Sequence, residues 1–337
     1  MPSIEALARV PEAPADALRE TLEATQPYVI RGAAAQWPLV QAGRRSDADL
    51  VAYLGRFANG SLPATVTLAP PEAEGLIFYG PGMRGFNFRR EQMGLGAALG
   101  ALVRAGGQDD PPLLYIGATT LETFLPGLDA ENGIDLAGRE ALASIWIGNR
   151  SRVPIHQDMP DNLACVAAGR RRFLLFPPGQ LRNLYIGPLD VTPAGQPVSL
   201  VDPLKPDLAR FPGFAHALEH AQVADLGPGD AILIPGMWWH HVEALEPLNV
   251  LVNYWWRRAP AWMDPPLTAL MAAILAIRQL PEHERAIWQE VFRHHVFEFD
   301  AAEVEGHIPP HAQGVLGPLD EVRAANLRRH LLQRLQR

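Results

Sequence analysis

The sequence predicts a mainly β protein: a jelly roll, or double-stranded β-helix, with α/β elements before it and helices after it. Three observations carry that expectation. Short runs rich in β-branched and aromatic residues fill the middle of the chain, among them Leu113-Leu114-Tyr115-Ile116, Ala231-Ile232-Leu233-Ile234 and Asn249–Trp256. Glycine and proline bound these runs, as the short strands of a barrel require. Beyond Pro260 the apolar spacing changes from strand-like to helical. The expected division is an amino-terminal α/β segment packing on the barrel (1–112), the jelly roll (113–260) and a helical region (261–337).

In chain order, Pro27-Tyr28-Val29-Ile30-Arg31-Gly32 reads as a strand ending in a glycine turn. Residues 47–57 read as a helix, with Asp47 near its start and Leu50, Tyr53, Leu54 and Phe57 at helical spacing. Residues 65–88 pattern as strand with glycine-rich turns, and residues 92–106 as a helix despite its glycines. Asp109-Asp110-Pro111-Pro112 marks a loop before the run at 113–116. A stretch rich in proline and glycine, about 179–215, interrupts the barrel. A loop of that length in a compact domain is commonly a lid or a binding surface. Gly229-Asp230 opens a turn, Pro235 ends the buried strand that follows it, and a hairpin at Glu246-Pro247-Leu248 leads into the last β run. Residues 267–280 and 284–297 read as amphipathic helices separated by Pro281, and about 319–335 as a terminal helix.

Composition narrows the function classes. The 337 residues, 48% hydrophobic and 20% charged, are ample for a globular core. A net charge of −8 argues against non-specific nucleic-acid binding, which relies on basic surface to neutralise phosphates. Arg170-Arg171-Arg172 and Arg257-Arg258 are short local exceptions. The single cysteine, Cys165, lies in an apolar run, which excludes an internal disulfide framework and fits a reducing compartment. The first 30 residues carry acids and prolines in place of a secretory apolar core. No run approaches the ~18 apolar residues of a spanning helix. The expectation is a soluble cytoplasmic protein with no membrane partner. Lys205 is the sole lysine among 29 basic residues, so arginine predominates wherever a cation is needed.

Chemistry concentrates in His156-Gln157-Asp158 and in His240, 82 residues beyond Asp158. On a strand, residues i and i+2 project to the same side, so His156 and Asp158 can bind one ion while Gln157 points away. Two imidazoles and one carboxylate on one face of a metal leave the opposite positions open, the arrangement of non-haem Fe(II) oxygenases. His240 follows the run Gly236-Met237-Trp238-Trp239. It is expected at the rim of a sheet, next to the strand carrying Asn253, so that two separate sheet edges supply the three ligands.

The order and spacing of several pieces add a resemblance. Val153-Pro154-Ile155-His156-Gln157-Asp158, Asp161-Asn162, Gly169 to Pro178, Gly229-Asp230, Ile234-Pro235, Trp238-Trp239-His240-His241 and Val252-Asn253-Tyr254-Trp255 follow one another in a known order. From about residue 145 to 256 the chain resembles the Jumonji C (JmjC) branch of the cupins. Within that branch it is similar to the cupin-like group around the asparaginyl hydroxylase that acts on hypoxia-inducible factor. The resemblance implies Fe(II) held by His156, Asp158 and His240, with 2-oxoglutarate as cosubstrate and O2 as the other reactant. It further implies hydroxylation of a C–H bond, foremost on a protein or peptide side chain, and homodimerisation through the carboxy-terminal helices. A small-molecule substrate and demethylation of N-methyl-lysine remain sub-variants.

The resemblance also assigns cosubstrate contacts. Arg171 stands where the family carries lysine. Its planar, two-pronged guanidinium suits a carboxylate, and alternation puts it on one face with Phe173 and Leu175. Tyr115 matches a tyrosine whose hydroxyl donates to the same carboxylate, and Asn162 and Asn253 match asparagines near the metal. Val153 stands at a threonine position, which removes one hydroxyl donor to the cosubstrate. Gly117 stands at a substrate-contacting glutamine position, so substrate specificity does not carry over. His241 competes with His240 as ligand, because only one of two adjacent strand residues faces inward. The resemblance favours His240 and leaves His241 as a histidine that supports the ligands from behind or lies at the surface. Phe86-Asn87-Phe88 resembles a motif of the amino-terminal part of cupin-like proteins and is read as packing. The i, i+4 pair His216 and His220 shows no third ligand and is read as chance. Two alternatives stay open. One is a cupin metalloenzyme using its metal as a Lewis acid without 2-oxoglutarate, and the other is a non-catalytic cupin binding module.

Overall fold

The computed structural model describes residues 4–336, which form two units divided after Arg258. In the first unit the strands are, in chain order, β1 (Ala8–Arg9), β2 (Glu12–Pro14), β3 (Tyr28–Arg31), β4 (Pro63–Ala69), β5 (Arg89–Gly94), β6 (Leu113–Thr120) and β7 (Leu142–Gly148). They continue with β8 (Ser151–Gln157), β9 (Asp161–Ala168), β10 (Arg171–Phe176), β11 (Gln222–Leu226), β12 (Ala231–Ile234), β13 (Trp239–Ala244) and β14 (Asn249–Trp256). One sheet has the order β1-β11-β10-β13-β8, the other β2-β3-β12-β9-β14-β7-β6-β4-β5. The strands of residues 1–112 therefore extend both sheets of the jelly roll.

Alternation sorts the side chains into layers. Along β9, β12 and β14, Ala164, Val166, Ile232 and Leu251 face Phe173, Leu175, Ala224 and Leu226 of the smaller sheet, forming the interior between the sheets. The alternate residues Leu163, Cys165, Val250 and Val252 face the other way, into a second core with Leu39, Leu50, Leu54 and Leu99 of the covering helices. All of β9 is buried for that reason. Each large aliphatic side chain so enclosed contributes roughly 1.5–3 kcal/mol. Burial pushes the Cys165 thiol pKa well up, in keeping with a packing residue.

The long insertion backs the smaller sheet. Leu184, Val201, Phe211 and Phe214 pack on Ile155, Leu174 and Phe176, and the Ser199 backbone N–H donates to Ile155 O at 2.7 Å along the open edge of β8. Between residues 70 and 88 the chain differs from the strand expected there: short helical turns at Pro71–Ala73 and Pro81–Met83 alternate with left-handed glycines at Gly75, Gly82 and Gly85. Asn87 organises this segment, its amide accepting from Phe78 N and donating to Leu76 O, both at 2.8 Å. The helix expected over 92–106 is Leu95–Ala105, because residues up to Gly94 pair with β4 instead. Its buried Leu95, Ala98, Leu99, Leu102 and Ala105 follow the helical period.

The second unit is helical. Pro266–Ile277 and Glu282–Phe292 are helices, the latter widening into a π turn over Arg293–Phe297. The terminal helix Glu321–Leu335 starts at Asp320, whose carboxylate accepts from Arg323 N at 2.8 Å as an N-cap. Among the described residues no helix is long and apolar enough to cross a membrane.

Candidate metal centre

His156 near the end of β8 and His240 near the start of β13 are direct partners across adjacent strands of the smaller sheet. Their rings lie 4.2 Å apart between centroids. Asp158 follows β8, and one of its carboxylate oxygens is 3.8 Å from His240 Nε2. One ligand atom from each of the three lies within 4.8 Å of the others. This corrects the expected topology in one respect. Asn253 lies on β14 of the larger sheet, flanked by β7 and β9, so the strand carrying His240 is not its neighbour. The three groups come from one pair of strands and the turn beyond β8. Strand order is a property of long-range pairing, which the short hairpin at residues 246–248 did not reveal.

Two details orient the cluster. His156 Nδ1 lies 2.8 Å from Pro154 O, and His240 Nδ1 lies 3.0 Å from Trp238 O. With each Nδ1–H donating to a carbonyl, both Nε2 lone pairs are left for a metal, the usual support for a histidine ligand. Burial, and then the neighbouring His156, draw the His240 pKa down to about 4 against the pull of Asp158, so its imidazole is neutral at physiological pH. The second detail is a bulge. The pairing shifts between His240↔His156 and Val242↔Val153, so two residues of β8, Pro154 and Ile155, oppose His241 alone. Residues three apart on a regular strand face opposite sides. The bulge is why Val153 and His156 both line the interior cavity. Proline, lacking an N–H, suits that position.

The turn that sets Asp158 is braced from the segment between β12 and β13. Met237 N donates to Asp158 O at 2.8 Å, and Gly236 N donates to the Asp161 carboxylate at 2.7 Å. Arg258 pairs with the other oxygen of Asp161 at 2.6 Å. A Cβ at Gly236 would stand 2.4 Å from Met159 O, so only glycine allows this approach.

The cavity leading from the cluster has a volume of about 180 Å³. Arg171, Tyr115, Asn162 and Asn253 all line it, together with His156, Asp158 and His240. Arg171 is 3% exposed, its Nε has no hydrogen-bond partner, and among the described residues no carboxylate pairs with it. Burial draws its pKa down to about 10, partly offset by Tyr115. Burial also raises the Tyr115 pKa, Arg171 opposing and Asp158 adding to the shift. Asn253 accepts from Trp146 Nε1 at 2.7 Å and donates to Asn162 Oδ1 at 3.3 Å, so the two asparagines act as a linked pair. Gly117 allows Tyr115 and Trp146 to close together, since a Cβ there would lie 2.8 Å from both rings.

His241 faces away from the cavity and is fully buried behind the sheet. Neither ring nitrogen has a well-formed hydrogen bond, and burial holds its pKa down at about 3. Sequence reasoning did not find Ile77, Ala194 and Gln196, which line the cavity from the amino-terminal segment and the insertion. Nothing local marks them. They arrive because Tyr79 Oη donates to Val191 O at 2.8 Å and Arg90 donates to Pro193 O at 2.7 Å, tying the insertion over the mouth.

A double-sheet barrel holding two histidines and an aspartate in the lining of an interior cavity defines a cupin with a mononuclear metal site as its candidate centre. Residues 14–261 match the cupin-like domain family, and the chain belongs to it. It is 33% identical over 150 residues to human HSPB1-associated protein 1, covering 43% of this chain and 30% of that one. It is 36% identical over 121 residues to the lysine-specific demethylase JMJ31 of Arabidopsis thaliana, 35% of this chain and 22% of that one. With the human bifunctional peptidase and (3S)-lysyl hydroxylase JMJD7 it shares 28% identity over 277 residues, 73% of this chain and 82% of that one. The chain thus spans under a third of the length of the first two relatives.

Proposed function

We propose that this protein is an Fe(II)- and 2-oxoglutarate-dependent dioxygenase that hydroxylates a C–H bond of a protein or peptide side chain. The observation that carries the reading is Arg171: a buried guanidinium with no anionic partner, in the same cavity as the His156, Asp158 and His240 cluster. An unpaired buried charge is costly unless a ligand completes it. A dicarboxylate with one end on a metal and the other on Arg171 meets both needs. The donor set fits Fe(II) as well, two neutral imidazoles and one carboxylate on one side with the other positions open.

In this reading His156, Asp158 and His240 hold the metal, and the carbonyls of Pro154 and Trp238 fix the ring orientations. Bound Fe(II), 2-oxoglutarate and O2 supply the chemistry that replaces hydrogen by hydroxyl on carbon, with succinate and CO2 as coproducts. Arg171 pairs with the distal carboxylate of the cosubstrate, and the Tyr115 hydroxyl donates to it. Asn162 and Asn253 line the side wall as a hydrogen-bonded pair. Val153, Phe173, Val242 and Leu251 form apolar walls that exclude water.

The size of the cavity supports a side chain as substrate. Sites that enclose a drug-sized molecule run ~300–1,000 Å³. At about 180 Å³ this cavity takes the cosubstrate and only the tip of a second reactant. The rest of that reactant stays outside, as a peptide does. The named lysyl hydroxylase among the relatives is in keeping with this. The test is succinate release from 2-oxoglutarate with Fe(II) under air, in the presence of candidate peptides. Turnover that is lost in His156→Ala and Asp158→Ala supports the reading. Absence of turnover, together with no thermal stabilisation by 2-oxoglutarate, counts against it.

The same reading includes a homodimer through the carboxy-terminal helices. The helices Pro266–Ile277 and Glu282–Phe292 bury none of their residues within the chain. Leu275 and Phe297 are 75% and 77% exposed. Apolar surface on this scale marks an interaction site. Sedimentation of Leu275→Glu against the unmodified chain checks it, a monomer in the variant alone being the expected result.

A further inference from the structure

The short helix Phe214–Glu219 carries a cluster that the site above does not use. Phe214, Ala217 and Leu218 are buried in the core behind the smaller sheet, which fixes the helix and turns its other side to solvent. On that side His216 Nδ1 lies 2.8 Å from a Glu219 carboxylate oxygen. The His216 and His220 rings stand 4.8 Å apart between centroids. One ligand atom from each of the three residues lies within 4.8 Å of the others. The i, i+4 histidines were visible in the sequence without a third partner, and Glu219 is that partner. Among the described residues the Glu219 carboxylate has no arginine or lysine, only His216.

We propose that His216, Glu219 and His220 form a second, solvent-facing site for a divalent transition metal of the zinc class. Two imidazoles and one carboxylate suit Zn(II), Ni(II) or Cu(II), whereas Ca(II) and Mg(II) call for a shell of oxygens. Ligand atoms on one tetrahedral ion stand about 3.3 Å apart, given metal–ligand bonds near 2.0–2.1 Å. The His216 and Glu219 side chains, 58% and 68% exposed, are free to close to that spacing by rotation. Three protein ligands leave the fourth position to water. The buried cluster has its side chains already held by packing, while the surface cluster must immobilise exposed ones, so the surface site binds more weakly. A metal here clasps the end of the helix to the residue that leads into β11, behind the sheet bearing His156 and His240. It does so without entering the cavity.

The test uses the full chain, with Zn(II) titrated calorimetrically in the micromolar range. His216→Ala/His220→Ala is expected to lower the number of zinc equivalents bound by one, with Glu219→Gln weakening the same equivalent several-fold. In the His156→Ala/Asp158→Ala background one equivalent is expected to remain, and Co(II) in its place gives visible absorption bands of low-coordinate geometry. The His216→Ala/His220→Ala chain keeps its response to 2-oxoglutarate, which separates this site from the proposed oxygenase centre. Zinc stoichiometry unchanged by loss of both surface histidines overturns the proposal, whatever the fate of the buried-site variant.

Discussion

Replacing Arg171 with methionine separates the stability of the empty pocket from its response to ligand. Burial brings the Arg171 pKa from 12.5 to about 10. At ~1.36 kcal/mol per unit, the charged side chain costs the folded protein about 3 kcal/mol. Arginine is charged in both folded and unfolded chains at neutral pH, so the whole cost is present there. It declines only as pH rises through about 10, where the folded chain releases its proton before the unfolded one. Methionine occupies much of the same slender volume without charge, although the guanidinium's own packing contacts are lost. The ligand-free Arg171→Met protein is therefore expected to be more stable than the parent by about 1–3 kcal/mol, or several degrees in Tm at ~2–4 °C per kcal/mol. The parent, in contrast, gains ~2.7 kcal/mol from 2-oxoglutarate at a hundred times its Kd, and the variant gains none. Thermal denaturation with Fe(II) under nitrogen, with and without 2-oxoglutarate, reads both effects. A variant that is less stable when ligand-free and still stabilised by 2-oxoglutarate refutes the idea that Arg171 awaits an anion.

Three further outcomes are expected. His156→Ala, Asp158→Ala and His240→Ala each lower succinate release by more than about 100-fold, and iron retention on a desalting column falls with it. Gly236→Ala, whose Cβ would stand 2.4 Å from Met159 O, lowers stability by about 1–3 kcal/mol and weakens metal binding through Asp158, as urea unfolding and metal titration would show. An unchanged midpoint would mean the turn is not as tight as described. In the metal-free chain, stability falls with acid, because burial holds the His240 and His241 pKa values at about 4 and about 3 while the unfolded chain protonates near 6.5. The stabilisation is complete above that value. Between about pH 7 and pH 5 each histidine accounts for about 2 kcal/mol of loss. His241→Phe is expected to flatten the decline by that amount, and a slope unchanged in this variant argues against a neutral buried imidazole.

Much of the site could be read from local pattern. The period of two put His156 and Asp158 on one side, and the apolar company of Arg171 placed its side chain inward. Proline and glycine marked the ends of β12, and the loss of strand pattern after Pro260 marked the helical unit. These are properties of neighbouring residues, fixed by backbone geometry and burial. Sheet order was not among them. That β13 pairs with β8 and β10 while Asn253 lies in the opposite sheet depends on which faces bury one another across long stretches of chain. The bulge at Pro154 and Ile155 is a mismatch between two strands and exists only once they pair. Residues 92–94 joined β4 as the end of a strand because a ladder of hydrogen bonds to a distant segment outweighed a weak helical pattern. Gln196 and Ala194 reached the cavity because Tyr79 and Arg90 tie the insertion down from elsewhere in the chain. The sequence thus determined which side chains form the candidate site and where the regular strands alternate. The tertiary structure alone decided which of them meet, because register and proximity arise from packing between segments that no local window contains.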